Sequence, residues 1–207
     1  MKKNVFAIDG LCASGKGTIS KQIANYFKIP YLNTGALYRA IGYHLYKQNF
    51  TNFQDINSML KIVSKIDFSD LENPEFFTED GGKRASNVSK IPEIRKFLFN
   101  MQVDFANQTG GAVLDGRDIG TVICPDAQYK FFIVASAEER ANRRYKQCQE
   151  KGIDMSLEEI KENIQKRDYN DINRPVAPLI KAVDAIEIDT TNMNKQETFE
   201  HILSFVK

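Results

Sequence analysis

The fold is decided by the stretch Gly10-Leu11-Cys12-Ala13-Ser14-Gly15-Lys16-Gly17-Thr18, which follows the apolar run Val5-Phe6-Ala7-Ile8. Two glycines five positions apart, followed by a lysine, have the spacing of a phosphate-binding loop between a strand and a helix. Glycines let several backbone N–H groups point at one place, and the following helix adds the positive end of its dipole. Lys16 adds a mobile charge for the outer phosphates. The sequence therefore predicts a phosphate-binding loop rather than an ordinary glycine turn.

Length and composition limit the class of protein. A chain of 207 residues with a net charge of +1 predicts one domain with small insertions and no broad basic surface for nucleic acid or membrane. No apolar run in the sequence approaches the length of a membrane span. The three cysteines, Cys12, Cys124 and Cys148, lack metal-ligand spacing and favour a reducing compartment. We expect a cytoplasmic protein and a monomer.

Apolar patterns predict strands that alternate with helices, which favours a parallel sheet covered on both faces. The predicted strands are Val5–Asp9, Pro30–Leu32, Ala112–Leu114, Tyr129–Val134 and Ala185–Asp189. The predicted helices are Lys16–Phe27, one capped by Thr34, Asp55–Lys65, one opened by Pro92, Ala137–Glu150, Leu157–Asp168 and Lys195–Val206. Acidic and turn residues predict that 67–84 forms an excursion.

Two polar clusters follow predicted strands, where open α/β sheets bind ligands. In the first, Asn33–Arg39, Arg39 lies one turn into a helix; the alternative is a capped helix with a surface arginine. In the second, Leu114–Thr121, Asp115 ends a buried strand, which is costly unless a positive charge is near. A magnesium–phosphate ion would supply that charge. The alternative is a plain turn rich in Asp and Gly.

Two arginine-rich clusters follow. The first contains Arg140, Arg143 and Arg144. These arginines either bind phosphate or, for Arg140 and Arg143, are ordinary surface charge. Arg167, Asp171 and Arg174 have the i, i+4, i+7 spacing of one helix face. Such a face is either a solvated set of ion pairs or a flap that closes on phosphates, for which the planar fork of arginine is suited.

Five motifs, in order along nearly the whole chain, resemble bacterial cytidylate kinase. They are G-x4-G-K-G-T, N-T-G-A-L-Y-R, D-G-R-D-I-G-T-V with C-P-D-A, E-E-R-A-N-R-R, and R-D-x-x-D-x-x-R-x-V-A-P-L. The resemblance implies one P-loop kinase domain, 1–207, with helices on both faces of a five-stranded parallel sheet of order 2-3-1-4-5. A small monophosphate-binding part would lie within 33–108, and a lid would span about 145–156.

The resemblance also implies the reaction, in which ATP with Mg²⁺ phosphorylates CMP or dCMP to CDP or dCDP, and the residues that carry it. The residues that would bind ATP are Gly10, Leu11, Cys12, Ala13, Ser14, Gly15, Lys16, Gly17 and Thr18. The residues that would bind the monophosphate are Thr34, Arg39, Ser86, Arg95, Arg117, Asp118, Arg167, Asp171 and Arg174.

Within that set the resemblance implies different tasks. Phosphates would be held by Arg39, Arg117, Arg167 and Arg174, the last three of which act in catalysis with Lys16. Cytosine would be recognised by Ser86, Arg95 and Asp118, and the acceptor ribose by Asp171. A carboxylate suits the amino group of cytosine, and a hydroxyl and a guanidinium suit its acceptor atoms. Asp115 would lie near magnesium, through water.

The chain departs from the family pattern at several places. Leu11 and Ala13 stand where the family usually has Pro and Gly, and Gly81–Arg84 replaces its Ile-Arg-Thr stretch. Cys12 is an added thiol that is either activated by the loop or buried and inert. Alternative functions are another small-molecule P-loop kinase, acting on uridylate, adenylate or dephospho-coenzyme A, and a non-catalytic nucleotide-binding switch. Arginines for a second nucleotide favour a kinase over a switch.

Overall fold

The computed structural model describes residues 2–150 and 152–206, in which the chain forms a five-stranded sheet of order β2-β3-β1-β4-β5. The strands are β1 Lys2–Gly10, β2 Tyr31–Asn33, β3 Ala112–Asp115, β4 Ala127–Val134 and β5 Ile186–Asp189. β1 pairs in parallel with β3 and β4, and β4 pairs in parallel with β5. The predicted parallel sheet and its strand order are confirmed.

Helices follow most of the strands. They are α1 Lys16–Phe27, α2 Thr34–Lys47, α3 Ile56–Val63, α4 Glu79–Val88, α5 Pro92–Ala106, α6 Ala137–Glu150, α7 Leu157–Asn173 and α8 Lys195–Leu203. A 3₁₀ turn spans Pro74–Phe77, and a π-helical turn spans Ile119–Ile123. No helix among the described residues is long and apolar enough to cross a membrane.

Strand β1 is buried on both faces. Phe6 and Ile8 pack in one cluster with Ile23 of α1. Val5 and Ala7 alternate with them, point to the opposite face and are each 1 % exposed. The central strand of the sheet is therefore covered on both sides, as a parallel sheet requires.

The chain divides into two compact units. The sheet unit comprises Met1–Leu32 and Phe105–Lys207, and the helical unit comprises Asn33–Asp104. Within the helical unit α2 and α4 approach each other closely at Gly42, where a Cβ would lie 2.7 Å from Cβ of Arg84. Only glycine allows this crossing.

The structure corrects two predictions in the helical unit. Asn33, not Thr34, caps α2, because its side chain accepts a hydrogen bond from the Ala36 amide at 3.2 Å. The excursion predicted over 67–84 overlaps helix α4, which that prediction missed. Thr78 caps this helix by accepting from the Gly81 amide at 3.0 Å. Gly81 permits packing, since a Cβ there would lie 2.3 Å from the carbonyl oxygen of Phe76.

Several helix ends also differ from the predictions. α3 begins at Ile56, with Asp55 as its cap. α7 continues to Asn173 instead of stopping at Asp168, and α8 ends at Leu203 rather than Val206. The lid predicted over about 145–156 contains residue 151, which lies outside the described residues.

Candidate active site

The loop between β1 and α1 leaves the sheet at Gly10. This residue has φ +148°, and a Cβ would lie 2.1 Å from the Ile133 carbonyl oxygen of β4. Only glycine fits, and the Leu11 amide then donates to the same carbonyl at 3.3 Å. Ala13 adopts the left-handed conformation with φ +58°, which costs an L-residue about 1 kcal/mol. A glycine would adopt this conformation without that cost.

Lys16 is the first residue of α1 and points back into the loop. Its ammonium donates to the Leu11 carbonyl at 2.9 Å. Burial and the charge of Arg117 lower the pKa of Lys16, Asp115 opposes both, and the net result is a pKa of about 7. A phosphate in the loop would favour the charged form of this lysine.

The carboxylate of Asp115, at the end of β3, lies beside the start of α1. Its Oδ2 is 3.4 Å from where a Cβ of Gly17 would stand, and it accepts a hydrogen bond from the Tyr31 hydroxyl at 2.5 Å. Burial raises the pKa of Asp115, against the lowering effects of Lys16 and of the Tyr31 bond. Sequence analysis missed Tyr31, because nothing in the spacing connects β2 to this carboxylate.

Two buried arginine–carboxylate pairs lie next to the sheet edge. Arg117 Nε donates to Asp171 Oδ2 at 2.6 Å, and Arg174 Nη2 donates to Asp118 Oδ1 at 3.3 Å. Asp171 and Arg174 are each only 6 % exposed, so the solvated ion-pair face is wrong for them. Burial raises the pKa of Asp171, but Arg117 and Arg167 outweigh burial and hold the pKa below its usual range.

Arg174 is not on the helix face that its spacing predicted. It follows the last residue of α7 and is extended, with φ −65° and ψ 142°, as expected before Pro175. Its Nε donates to the Ala177 carbonyl at 2.6 Å. The guanidinium therefore ties the chain after α7 to Asp118.

Three cations converge on the loop at Cys12. Burial raises the pKa of this thiol, but the charges of Arg167, Arg117 and Lys16 outweigh burial, so the net effect is a lowered pKa. These residues come from α7, the chain after β3, and α1. The sheet unit thus gathers positive charge at the place where a phosphate would lie.

The backbone of Cys12 is held by a pair that sequence analysis did not identify. Asp168 Oδ1 accepts from the Cys12 amide at 3.0 Å, and Arg140 Nη1 donates to the Cys12 carbonyl at 3.0 Å. Arg140 and Asp168 also pair with each other. Arg140 is 5 % exposed, so its interpretation as surface charge is wrong. Contacts that join residues so far apart in sequence leave no local signal.

Arg143 is also engaged with the backbone rather than free at the surface. Its guanidinium donates to the Thr190 hydroxyl at 2.9 Å and to the Ser14 carbonyl at 3.3 Å. It thereby joins α6 to the loop and to the chain after β5.

A cavity of about 900 Å³ adjoins the loop in the sheet unit. It is lined by the loop at 13–18, by α6 near Arg143 and by the chain at 193–198. Two of its lining side chains, Ser14 and Gln22, carry a buried oxygen with no hydrogen-bond partner among the described residues. Unpartnered buried polar atoms favour a polar ligand in this cavity.

The helical unit holds the remaining predicted residues. Arg39 donates to the carbonyl oxygens of Phe76 and Thr78, at 2.7 and 3.2 Å, and Thr34 is buried in the first turn of α2. Ser86 in α4 carries a buried hydroxyl with no partner among the described residues.

Arg95 in α5 is close to the same turn of α4. Its guanidinium donates to the Ser89 carbonyl at 3.3 Å and lies over the ring of Tyr38, 5.6 Å from its centre. The Ser89 hydroxyl in turn donates to the Ser86 carbonyl at 3.0 Å. One hydrogen-bonded chain therefore links Arg95 to Ser86.

A parallel sheet of this order, with a phosphate-binding loop between its central strand and the following helix, defines a P-loop kinase. A solved structure of an uncharacterized protein from Eubacterium ventriosum shares the fold with a TM-score of 0.57 at 15% identity, over 99% of this chain and 98% of that chain. The sequence then specifies the family: the chain belongs to the cytidylate kinase family, whose model matches residues 6–207.

Individual relatives agree with this assignment. A cytidylate kinase of Clostridioides difficile (strain 630) is 42% identical, over 97% of this chain and 96% of the relative. One of Thermosipho melanesiensis is 44% identical, over 97% and 95%. The resemblance found in the sequence is confirmed, and the chain is a nucleoside monophosphate kinase, a transferase.

Proposed function

We propose that this site transfers the γ-phosphoryl group of ATP to CMP or dCMP with the residues that gather at the loop. Membership of the cytidylate kinase family gives the reaction, in which ATP and CMP or dCMP become ADP and CDP or dCDP. It does not favour the alternatives of another small-molecule kinase or of a switch. The observation that carries the proposal is the geometry of the loop, in which Gly10 lies against the Ile133 carbonyl and the Lys16 ammonium donates back to the Leu11 carbonyl at 2.9 Å.

ATP is proposed to lie along the loop, with its adenosine part in the adjoining cavity. The backbone amides of residues 13–18 and the start of α1 would hold the β- and γ-phosphates. The buried oxygens of Ser14 and Gln22 would face the polar atoms of the nucleotide. Adenosine is of a size that a cavity of about 900 Å³ accommodates.

Phosphoryl transfer needs positioned charge rather than a protein nucleophile. We propose that four side chains stabilise the negative charge of the transferred phosphoryl group: Lys16, Arg117, Arg167 and Arg174. Arg117 and Arg174 are already oriented by Asp171 and Asp118, so little reorganisation is required when the phosphates arrive. Asp171 is proposed to accept from the acceptor ribose with its remaining lone pairs.

We propose that magnesium binds beside Asp115 in the sheet unit. Among residues 2–150 and 152–206 there is no cluster of three or more His, Cys, Asp or Glu side chains able to hold a metal directly. Mg²⁺ usually keeps several waters and binds one or two carboxylates together with substrate phosphates, so Asp115 alone is a suitable donor. When bound, Mg²⁺ neutralises charge on the β- and γ-phosphates. Asp115 would orient its water ligands.

The family resemblance names the residues that we propose to contact the monophosphate. Arg39 and Thr34 would serve its phosphate, and Ser86, Arg95 and Asp118 its base. The buried, unpartnered hydroxyl of Ser86 supports a ligand role, because such groups are rare without one.

The remaining assignments also stay proposals. They are a single kinase domain with its monophosphate-binding part within 33–108, a lid near 145–156 that excludes water, a monomeric state and a cytoplasmic location.

Base recognition gives the first testable prediction. Replacing Asp118 with Ala should raise KM for CMP and reduce the preference for CMP over UMP. The carboxylate is proposed to accept a hydrogen bond from the amino group of cytosine, which uracil lacks. One lost hydrogen bond to a charged group is worth about 1.5–3 kcal/mol. The ratio of kcat/KM for the two substrates measures the effect. An unchanged ratio in a folded variant would show that Asp118 does not recognise cytosine.

A further inference from the structure

Asp9, the last residue of β1 before Gly10, forms a contact that the proposed reaction does not use. Its carboxylate is 4 % exposed. Oδ1 accepts from the Ile119 amide at 2.9 Å, and Oδ2 accepts from the Gly120 amide at 2.7 Å. Both oxygens are therefore used on two consecutive backbone donors, 110 and 111 residues further along the chain.

The position is an expensive one for a carboxylate. Burial raises the pKa of Asp9, the two amides and the charge of Lys16 lower it, and the neighbouring carboxylate of Asp118 raises it. The net result is a pKa of about 6. An uncharged side chain would avoid this burial penalty. A carboxylate at this position therefore indicates that both of its oxygens are needed to accept from the two backbone amides.

The two amides belong to the start of an unusual turn. Residues Ile119–Ile123 are π-helical, with the Ile123 amide donating to the Asp118 carbonyl at 3.2 Å. Such turns are rare and often lie at functional sites. Asp118 immediately precedes the turn, and its backbone carbonyl accepts from the Val122 amide at 2.9 Å. The backbone that carries the Asp118 side chain is therefore continuous with the two amides that Asp9 holds.

We propose that Asp9 is a positioning residue for cytosine recognition, which fixes Ile119 and Gly120 and thereby aims the Asp118 carboxylate. The proposal rests on the proposed function, in which Asp118 accepts from the amino group of cytosine. Strand β1 continues directly into the phosphate-binding loop. The same strand therefore precedes the proposed ATP-binding loop and, through Asp9, positions the residue proposed to bind the base. Arg174 orients the same carboxylate from its other side.

Asp9→Asn tests the role, because asparagine has the same shape but turns an NH₂ group toward one backbone amide. We expect the ratio of kcat/KM for CMP over UMP to fall roughly tenfold, since misplacing a contact by about 1 Å has effects of this size or larger. KM for CMP should rise while KM for ATP stays within about twofold of the parent. Asp67→Asn is the matched control: its exposed carboxylate accepts from the Ser69 amide at 2.9 Å, and its kinetics should equal those of the parent.

A double-mutant cycle separates this proposal from the one on which it rests. If Asp9 acts through Asp118, adding Asp9→Asn to Asp118→Ala leaves the CMP/UMP ratio of the single Asp118 variant unchanged. A further fall of similar size would overturn the positioning role. An unchanged ratio in Asp118→Ala alone would instead refute the proposed cytosine contact. If Asp118→Ala lowers the ratio but folded Asp9→Asn does not, only the Asp9 proposal fails.

A second variant covers the case in which Asp9→Asn does not fold. Asp9→Glu keeps the charge and both oxygens but moves them by one methylene, so the same fall in the CMP/UMP ratio is expected. A parent ratio in folded Asp9→Glu would count against the proposal.

Discussion

Replacing Lys16 with methionine is expected to lower kcat by at least about a hundredfold, because the variant loses the mobile charge nearest the transferred group. Methionine matches the length of the buried stem, so the loop and α1 should keep their structure. The ammonium donates to the Leu11 carbonyl, and this bond is a small part of the stability of the sheet unit. Steady-state kinetics with ATP and CMP measure the loss.

Lys61→Met is a matched control for this experiment. Lys61 is exposed on α3, and its replacement removes the same charge with the same side chain. It should leave kcat unchanged. Parent turnover in a folded Lys16→Met protein would refute the assignment of the phosphate-binding loop.

Replacing Arg174 with lysine is expected to lower kcat/KM for CMP by about a hundredfold, with no rescue from the retained charge. The guanidinium uses Nε on the Ala177 carbonyl and Nη2 on Asp118 at the same time. The single ammonium of lysine lacks the fixed fork that makes both bonds from one plane. In the variant, Asp118 should therefore lose its fixed orientation, and the lysine ammonium should not be held in place toward the phosphates.

Arg84→Lys controls for the loss of a guanidinium as such. The Arg84 guanidinium lies over the Tyr46 ring, 3.6 Å from its centre, and a lysine can place a cation on the same ring. The activity of this variant should match the parent. Full activity in Arg174→Lys would show that only the charge of Arg174 is used, and that its two-pronged geometry is not.

The parts of the fold that follow local rules could be predicted from the sequence. The loop ends where Lys16 begins α1, and strands rich in Val, Ile and Phe gave the parallel sheet. Helix α4 was missed because Gly81 and Gly82, next to acidic residues, have the composition of a turn. Those glycines lie in a helix since packing against the Phe76 carbonyl and beside α2 outweighs their low helix propensity.

Residues of the site are likewise predictable only where a local rule applies to them. Asp115 was found because a carboxylate at the end of a buried strand needs a partner, and the same rule applies to Asp9, which ends β1. The two partners of Asp9, however, lie in another loop, and no spacing reveals them. The clamp of Arg140 and Asp168 on Cys12 depends on the packing of α6 against α7, which only the folded chain defines.

The central claim, a kinase that phosphorylates cytidine monophosphates at this loop, is tested most directly by ADP release from ATP over a panel of acceptors. CMP, dCMP, UMP, AMP and dephospho-coenzyme A are each added to the purified protein with ATP and Mg²⁺. We predict fast ADP formation with CMP or dCMP, much slower formation with the other three, and almost none without an acceptor. ADP release that is independent of any acceptor, or faster with UMP, AMP or dephospho-coenzyme A than with CMP and dCMP, would contradict the account.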